Sequence, residues 1–224
     1  MLRLAIANKL YSSWSLRPWL LMRAFGIPFE ETVIPLREAD SRARILEQSP
    51  SGKVPVLIDG DVRVWESLAI VEYLAEKFPS HAIWPKDATA RAHARAISNE
   101  MHGGFMSLRQ ACPMNLGKRF KTPELSEDLK SNVSRIEDIW RGTRKDYSGG
   151  RPFLFGALTA ADAMYAPVVT RLDTYQIPVA ADTRTYMDTV LAHPAFLGWK
   201  RAALAEPWTI ADYETGHTAT ETFR

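Results

Sequence analysis

Cysteine is nearly missing from this sequence: Cys112 is the one thiol in 224 residues. That excludes an intrachain disulfide framework and any multi-cysteine metal site, and it suits a reducing compartment. Dense runs of lysine and arginine are missing too. The 28 basic and 26 acidic residues nearly cancel, to a formal charge of +2. No segment therefore offers the many phosphate contacts on which nucleic-acid binding draws. No uninterrupted apolar run approaches the ~20 residues that a membrane helix needs. The opening stretch, Leu2 to Ala7, is too short for a signal peptide and is followed by no small-residue cleavage pattern. A cytoplasmic location is the expectation. Internal repeats and low-complexity tracts are absent. What remains, 46% hydrophobic and 24% charged residues, is the composition of an ordinary globular chain long enough to bury a full core.

The first eighty residues alternate strand and helix patterns. Leu2 to Ala7 predicts a short buried strand. Leu16 to Phe25 predicts a helix with Leu16, Trp19 and Leu20 on one face and Gly26 as its stop. Phe29 to Pro35, with β-branched Thr32, Val33 and Ile34, predicts a second strand, and Ser41 to Gln48 a short helix. Val54 to Ile58 and Val62 to Trp65 flank Asp59-Gly60-Asp61, a hairpin signal. Glu66 to Phe78 closes the unit as an amphipathic helix. The order β-α-β-α-β-β-α over residues 1–78 predicts an α/β domain with helices on the faces of a small mixed sheet. Pro79 and Pro85 bracket a linker, 79–87. Residues 88–224 predict helices and no strand: Ala88 to Ala111, bent at Gly103-Gly104; Pro123 to Lys145; Thr159 to Thr174, kinked at Pro167; Tyr186 to Leu191; and Ala195 to Ala205. The third of these opens on Thr159-Ala160-Ala161-Asp162, a capping box in its Asp variant.

Three stretches carry candidate chemistry. In Tyr11-Ser12-Ser13-Trp14-Ser15-Leu16-Arg17-Pro18, Pro18 has no backbone N–H and is at ease in the first turn of a helix. That predicts Ser15 near the N-cap, with Ser12 and Ser13 in the loop before it. A hydroxyl there can donate to an anion beside a helix N-terminus that itself favours negative charge. Three serines can equally be helix caps and nothing more. In Ser51-Gly52-Lys53-Val54-Pro55-Val56-Leu57 a proline enters a strand, which is tolerated at an edge or a strand start. A cis Val54-Pro55 bond would turn the Val54 N–H and C=O outward to pair with a peptide-like ligand. Only about one X-Pro bond in twenty is cis, so composition alone favours a trans edge proline. In Trp65-Glu66-Ser67-Leu68-Ala69-Ile70 a strand turns into a helix. Ser67 and the free N–H groups could hold a carboxylate there, and Glu66 an ammonium. The plainer reading is a capped helix with an acidic first turn.

Taken in order, these stretches resemble the glutathione transferase superfamily, in particular its bacterial, serine-using, zeta- and theta-like members. The matching elements are Ser12-Ser13-Trp14-Ser15-Leu16-Arg17, Lys53-Val54-Pro55, Glu66-Ser67-Leu68-Ala69-Ile70-Val71-Glu72-Tyr73-Leu74 and the Thr159–Asp162 box. The resemblance covers nearly the whole chain. It implies a thioredoxin-like α/β domain followed by an all-α helical bundle, glutathione as co-substrate, a small hydrophobic electrophile as its acceptor, and a homodimer. Carried over by position, it implies that Val54 pairs through its backbone with the cysteinyl part of glutathione, with Pro55 as the family's cis proline. Glu66 and Ser67 would bind the γ-glutamyl ammonium and carboxylate, and Lys53 is placed for the glycyl carboxylate. Ser12 or Ser13 would hydrogen-bond the sulfur, with Ser13 favoured. The electrophile pocket is expected between the domains, from Trp14 on one side and Met101, Phe105, Met106 and Arg109 on the other. His102 and Arg109 could polarise an acceptor, with a buried structural role the alternative for His102 and an interdomain salt bridge the alternative for Arg109, and Cys112 is expected to be a small core residue. No metal is implied.

Physical chemistry permits this activity. A thiol titrates near pH 8.5, and lowering that by about two units takes roughly 2.7 kcal/mol of preferential thiolate stabilisation. One hydrogen bond to a charged group supplies ~1.5–3 kcal/mol and a helix N-terminus ~0.3–1 kcal/mol. The expected function is thus activation of the glutathione thiol as a thiolate that attacks an electrophile. Two alternatives stand beside it. The serine pair resembles the zeta class, which isomerises maleylacetoacetate, but that class carries a cysteine where this sequence has Trp14. A non-catalytic adaptor on the same fold is the other, and the complete ligand set weighs against it.

Overall fold

A computed structural model describes residues 1–214 and 216–224. Strand β1 (Leu2–Ile6) lies parallel to β2 (Phe29–Val33) and antiparallel to β3 (Val56–Asp59), which pairs with β4 (Val62–Trp65) across the Asp59-Gly60-Asp61 turn. The order β2-β1-β3-β4 places the two most apolar strands at the centre, as expected of strands covered on both faces. Side chains alternate between those faces. Ala5, Val56 and Ile58 meet Ile45 of α2 (Ser41–Gln48) on one side. Leu4, Ile6 and Leu57 meet α1 (Ser13–Ala24) and α3 (Ser67–Lys77) on the other, in a core that continues into the rest of the chain. The expected βαβαββα order is observed.

After the 79–87 stretch come α4 (Ala88–Gly103), α5 (Met106–Ala111), α6 (Glu127–Tyr147), α7 (Ala160–Thr174), α8 (Ala181–Leu191) and α9 (Pro194–Leu204). Helix α7 is mostly apolar and buried along nearly its whole length, the pattern of a central helix. It packs against α1 and α4. None of the described helices is long and apolar enough to cross a membrane.

Several boundaries differ from expectation for physical reasons. The helix expected over Ala88–Ala111 is two helices. Gly104 is extended, and a Cβ on it would stand 2.6 Å from the Glu100 carbonyl oxygen. Phe105 then takes a left-handed conformation, φ 58°. Helix α1 begins at Ser13 rather than Leu16, so Pro18 lies inside the helix instead of in its first turn, where its missing N–H leaves the Trp14 carbonyl without its helical partner. Helix α6 starts at Glu127, where Ser126 caps Leu129, not at Pro123. Helix α8 begins five residues ahead of Tyr186. The second domain is helical apart from a two-stranded ribbon, β5 (Lys118–Phe120) with β6 (Ala219–Thr222), which the sequence reading leaves out. These strands are short, polar and distant in sequence, so no alternation marks them.

Candidate functional site

The end of β1 and the start of α1 are joined by serines with three separate tasks. Ser12, not Ser15, is the N-cap: its Oγ accepts from the Ser15 N–H at 3.3 Å and donates to the Ser15 Oγ at 2.8 Å. Ser15, fully buried, accepts from the Ala7 N–H at 3.1 Å and ties the helix to the strand. Ser13, the first helical residue, accepts from Arg171 Nη2 of α7 at 3.3 Å. A serine oxygen that accepts from a guanidinium keeps its hydrogen for another partner.

Facing these serines, the Val54-Pro55 bond is cis. Beyond the β3–β4 hairpin, Glu66 sits at φ 67°, ψ 125°, a region sparsely populated by any residue with a Cβ. Its carboxylate accepts from no N–H of α3, so the first N–H groups of that helix stay free of a side-chain cap. Ser67 occupies the first helical position, and its buried Oγ has no partner among the described residues. A buried, unpaired hydroxyl costs about 1–3 kcal/mol, and here it stands beside unpaired N–H groups at a helix N-terminus. That combination has the chemistry to hold a carboxylate.

Two cavities meet at this junction. One, of about 410 Å³, is lined by Trp14, Lys53, Val54, Pro55, Glu66, Ser67 and His102. The other, of about 340 Å³, is lined by Ser12, Ser13, Trp14, Val54, Met106, Arg109 and Arg171, with Tyr11 and Tyr213 at its far wall. Trp14 and Val54 belong to both, so one extended ligand could cross from the first to the second. All seven expected binding and serine positions thus line the two cavities, Lys53 and Glu66 with exposed side chains. Of the expected electrophile contacts, Trp14, Met106 and Arg109 line the second cavity. Met101 and Phe105 do not: both are buried in the core, Met101 on the inner face of α4 and Phe105 at the α4–α5 break.

The electrostatics of the second cavity are one-sided. Arg17 and Arg109 stack on Trp14, their guanidinium carbons 4.1 and 4.7 Å from the ring centre. Arg17 donates to the Met164 carbonyl, and Arg109 to those of Met101 and His102. Among the described residues none of Arg17, Arg109 and Arg171 forms an ion pair, although many other arginines do. Burial, followed by repulsion from its arginine neighbours, holds Arg17 well below its ordinary value, and the same causes bring Arg171 down to about 10. At neutral pH Arg171 is still a cation. His102, lining the first cavity, has Nε2 3.7 Å from the Glu66 carboxylate. Burial, then the Arg17 charge, lowers its pKa, against the pull of Glu66. Cys112 is fully buried and its thiol is pushed up to about 12 by desolvation, which removes it as a nucleophile.

Sequence reasoning missed Arg171 and the two tyrosines. One signal could have found Arg171: it is a lone arginine close behind the apolar run Ala163–Val169, where a charge is costly unless something uses it.

Comparison with known proteins agrees with this fold. Residues 11–77 match the family Glutathione S-transferase, N-terminal domain, and residues 121–202 match Glutathione S-transferase, C-terminal domain. A probable maleylacetoacetate isomerase of Caenorhabditis elegans is 38% identical over 190 residues, covering 83% of this chain and 86% of that protein. A zeta-class glutathione S-transferase of Euphorbia esula is 23% identical over 184 residues, 79% of this chain and 82% of its own. Among solved structures, a glutathione transferase homolog from Burkholderia, determined with bound glutathione, superposes with a TM-score of 0.70 at 22% identity, over 92% of this chain and 99% of that one.

Proposed function

The chain belongs to the glutathione S-transferase family, and from that premise we propose that it binds glutathione across the two cavities and activates its thiol for attack on an electrophile. The observation that carries this reading is Ser67: a buried hydroxyl without a partner, at an uncapped helix N-terminus, facing the first cavity. The γ-glutamyl carboxylate satisfies Ser67 and the free N–H groups of α3, and its ammonium meets Glu66. The Val54 backbone takes the cysteinyl residue and Lys53 at the rim the glycyl carboxylate. The sulfur then lies at the α1 N-terminus, where Ser13 has a hydrogen to donate while Ser12 has given its own to Ser15. The thiol proton leaves to solvent. The sulfur lone pair forms a bond to an electrophilic carbon held against Trp14 and Met106, and the displaced electron pair departs with a leaving group or enters a conjugated carbonyl.

The uncompensated arginines favour one acceptor class. Arg109 and Arg171 line the second cavity without acidic partners, so an acceptor bearing a carboxylate is preferred to a neutral one. A maleylacetoacetate-type substrate, on which relatives are named to act, fits: the thiolate adds to the conjugated double bond, the resulting single bond rotates, and elimination returns the thiolate. Trp14, at the place where the zeta class carries a cysteine, lines this cavity together with Arg109 and Arg171. The proposal extends to a homodimer, since edge strand β4 leaves Val62 and Trp65 exposed at 45% and 42%, and light scattering at about twice the chain mass checks it; the near-absence of cysteine fits a cytoplasmic location.

The test is calorimetric titration of glutathione into wild type, Ser67→Ala and Glu66→Gln. Wild type should bind in the micromolar to millimolar range, and loss of one hydrogen bond to a charged group should weaken Ser67→Ala by roughly 10- to 100-fold. Absence of binding to wild type at millimolar glutathione would sink the reading and leave an adaptor on the same fold. Turnover of a generic chlorinated aromatic beside a cis-configured carboxylated enone then separates the acceptor classes, and Arg109→Met should reduce only the second.

A further inference from the structure

Helix α7 is mostly apolar; its buried Asp162 carboxylate accepts from four donors and its Asp173 pairs with Arg119 and Arg184, which leaves Arg171, 8% exposed, as its buried cation. A guanidinium costs several kcal/mol to bury unless its surroundings answer the charge. No carboxylate pairs with it among the described residues. Its Nη1 instead donates to two main-chain carbonyls, those of Cys112 and Arg109. These bonds fix the planar fork so that the other arm, Nη2, crosses from the helical domain to the α/β domain and donates to the Ser13 Oγ at 3.3 Å. The titratable groups facing Arg171 are Arg17, Arg109, Cys112, Tyr175 and Tyr213, and beyond them the Glu214 carboxylate is engaged by the Tyr11 hydroxyl, Asn115 and Lys118. Burial keeps Cys112 and Tyr175 protonated, so the charges nearest Arg171 are those of Arg17 and Arg109, both positive. A cluster of this kind is stabilised by an anion that arrives with the ligand.

We propose that Arg171 is a positioning residue of thiol activation: by donating to the Ser13 Oγ it aims the Ser13 hydrogen at the glutathione sulfur and adds positive charge one hydroxyl away from it. This rests on the reading that Ser13 meets the sulfur. An oxygen that accepts from a cation becomes a stronger donor through its own hydrogen, because hydrogen bonds in a chain polarise one another. A unit charge at that remove, at an effective dielectric near 20, is worth about one to two pH units on the bound thiol. The serine alone is an ordinary neutral donor. Serine and arginine together form a charge-assisted relay contributed by both domains, so the thiol is activated only where α1 and α7 are in register.

The experiment follows the ultraviolet absorbance of the glutathione thiolate in the complex as a function of pH, with glutathione affinity measured calorimetrically in parallel. In wild type the bound thiol should titrate about two units below free glutathione. Arg171→Gln, which can still donate to the two carbonyls, should bind glutathione within about threefold of wild type but raise the bound-thiol pKa by about one to two units. Turnover of the chlorinated aromatic should then fall about 10- to 100-fold at neutral pH and recover as pH rises through the new value. Combined with Ser13→Ala, the shifts should be less than additive, because both substitutions cut the same relay. If Arg171→Gln does not fold, Arg171→Lys carries the test: it keeps the charge but lacks the fork that reaches Ser13, and a rise of about half a unit is expected. A folded variant of either kind that binds glutathione with an unchanged thiol pKa would overturn the proposal. Failure of wild type to bind glutathione would instead remove the reading on which it rests.

Discussion

A hydroxyl has one hydrogen to give, and the adjacent serines at the start of α1 give theirs in different directions. Ser12 donates to the Ser15 Oγ and caps the helix, while Ser13 accepts from Arg171 and keeps its hydrogen. Ser13→Ala should therefore lower kcat/KM by about 100-fold with glutathione binding nearly intact, the pattern of a lost transition-state interaction. Ser12→Ala should cost about 1 kcal/mol of stability through the cap and reduce turnover much less. Steady-state kinetics and denaturant titration on both variants check this, and the reverse ranking would reassign the serine. Cys112 gives a second test at this scale. Its thiol is fully buried and its pKa is raised to about 12, so iodoacetamide should leave the native protein unmodified and label it only after denaturation, as read by mass spectrometry. The contrast in legibility between Ser67 and Arg171 is physical. Ser67 acts through the helix that it begins, so local sequence reveals its place. Arg171 acts on a residue 158 positions away, and only the crossing of α1 and α7 brings the two together.

Elements were readable where their own residues decide them. The alternation of strands and helices over residues 1–78 came through because each strand there is short, β-rich and closed by a turn signal. The α4–α5 break was visible only as a glycine pair, since the clash that forbids a side chain at 104 depends on the folded path of Glu100. The β5–β6 ribbon was invisible because its strands are paired across about a hundred residues. The most explicit local signal, the Thr159–Asp162 box, also makes a stability prediction. The Asp162 carboxylate accepts from the Leu154 and Thr159 N–H groups and from the Thr159 and Tyr186 hydroxyls. Burial pushes its carboxyl up to about 6 even against those four donors. A folded-state value above the unfolded one means that the folded chain holds this proton more tightly. The group's contribution is therefore complete below about pH 4, declines as pH rises to about 6, and is level above that. The stability advantage of wild type over Asp162→Asn, which cannot ionise, should fall across that window in denaturant titrations, and an advantage that grew with pH would contradict the assignment. Asp162→Ala, which strands all four donors, should cost about 2–4 kcal/mol.

At the scale of the molecule, the α/β domain and the helical domain are bound together at the very place where the thiol would be activated. Arg17 of α1 donates to the Met164 carbonyl of α7, and the Trp199 indole of α9 donates to the Lys9 carbonyl at 3.0 Å. The buried Glu206 carboxylate accepts from the Lys9 and Leu10 N–H groups, and Tyr213 stacks on Tyr11. The loop that carries Ser12 and Ser13 is thus held from the far end of the chain, and one apolar core runs from β1 through α1 and α7 to α9. Unfolding the α/β domain alone would expose the buried face of α7 and cut Arg17 from Met164, Arg171 from Ser13 and Glu206 from Lys9 and Leu10. That loss is set against a stability of only about 5–15 kcal/mol for an ordinary domain. The chain should therefore unfold in a single transition at fixed protein concentration. Tryptophan emission, which reports Trp14 and Trp19 in one domain and Trp140 and Trp199 in the other, should overlay the far-ultraviolet circular dichroism trace, and the calorimetric and van't Hoff enthalpies should agree. Two separated transitions would mean that the domains fold independently. In that case the serine loop would keep its register only through the sheet, and the arginine relay across the interface would be open for part of the time even in the native state.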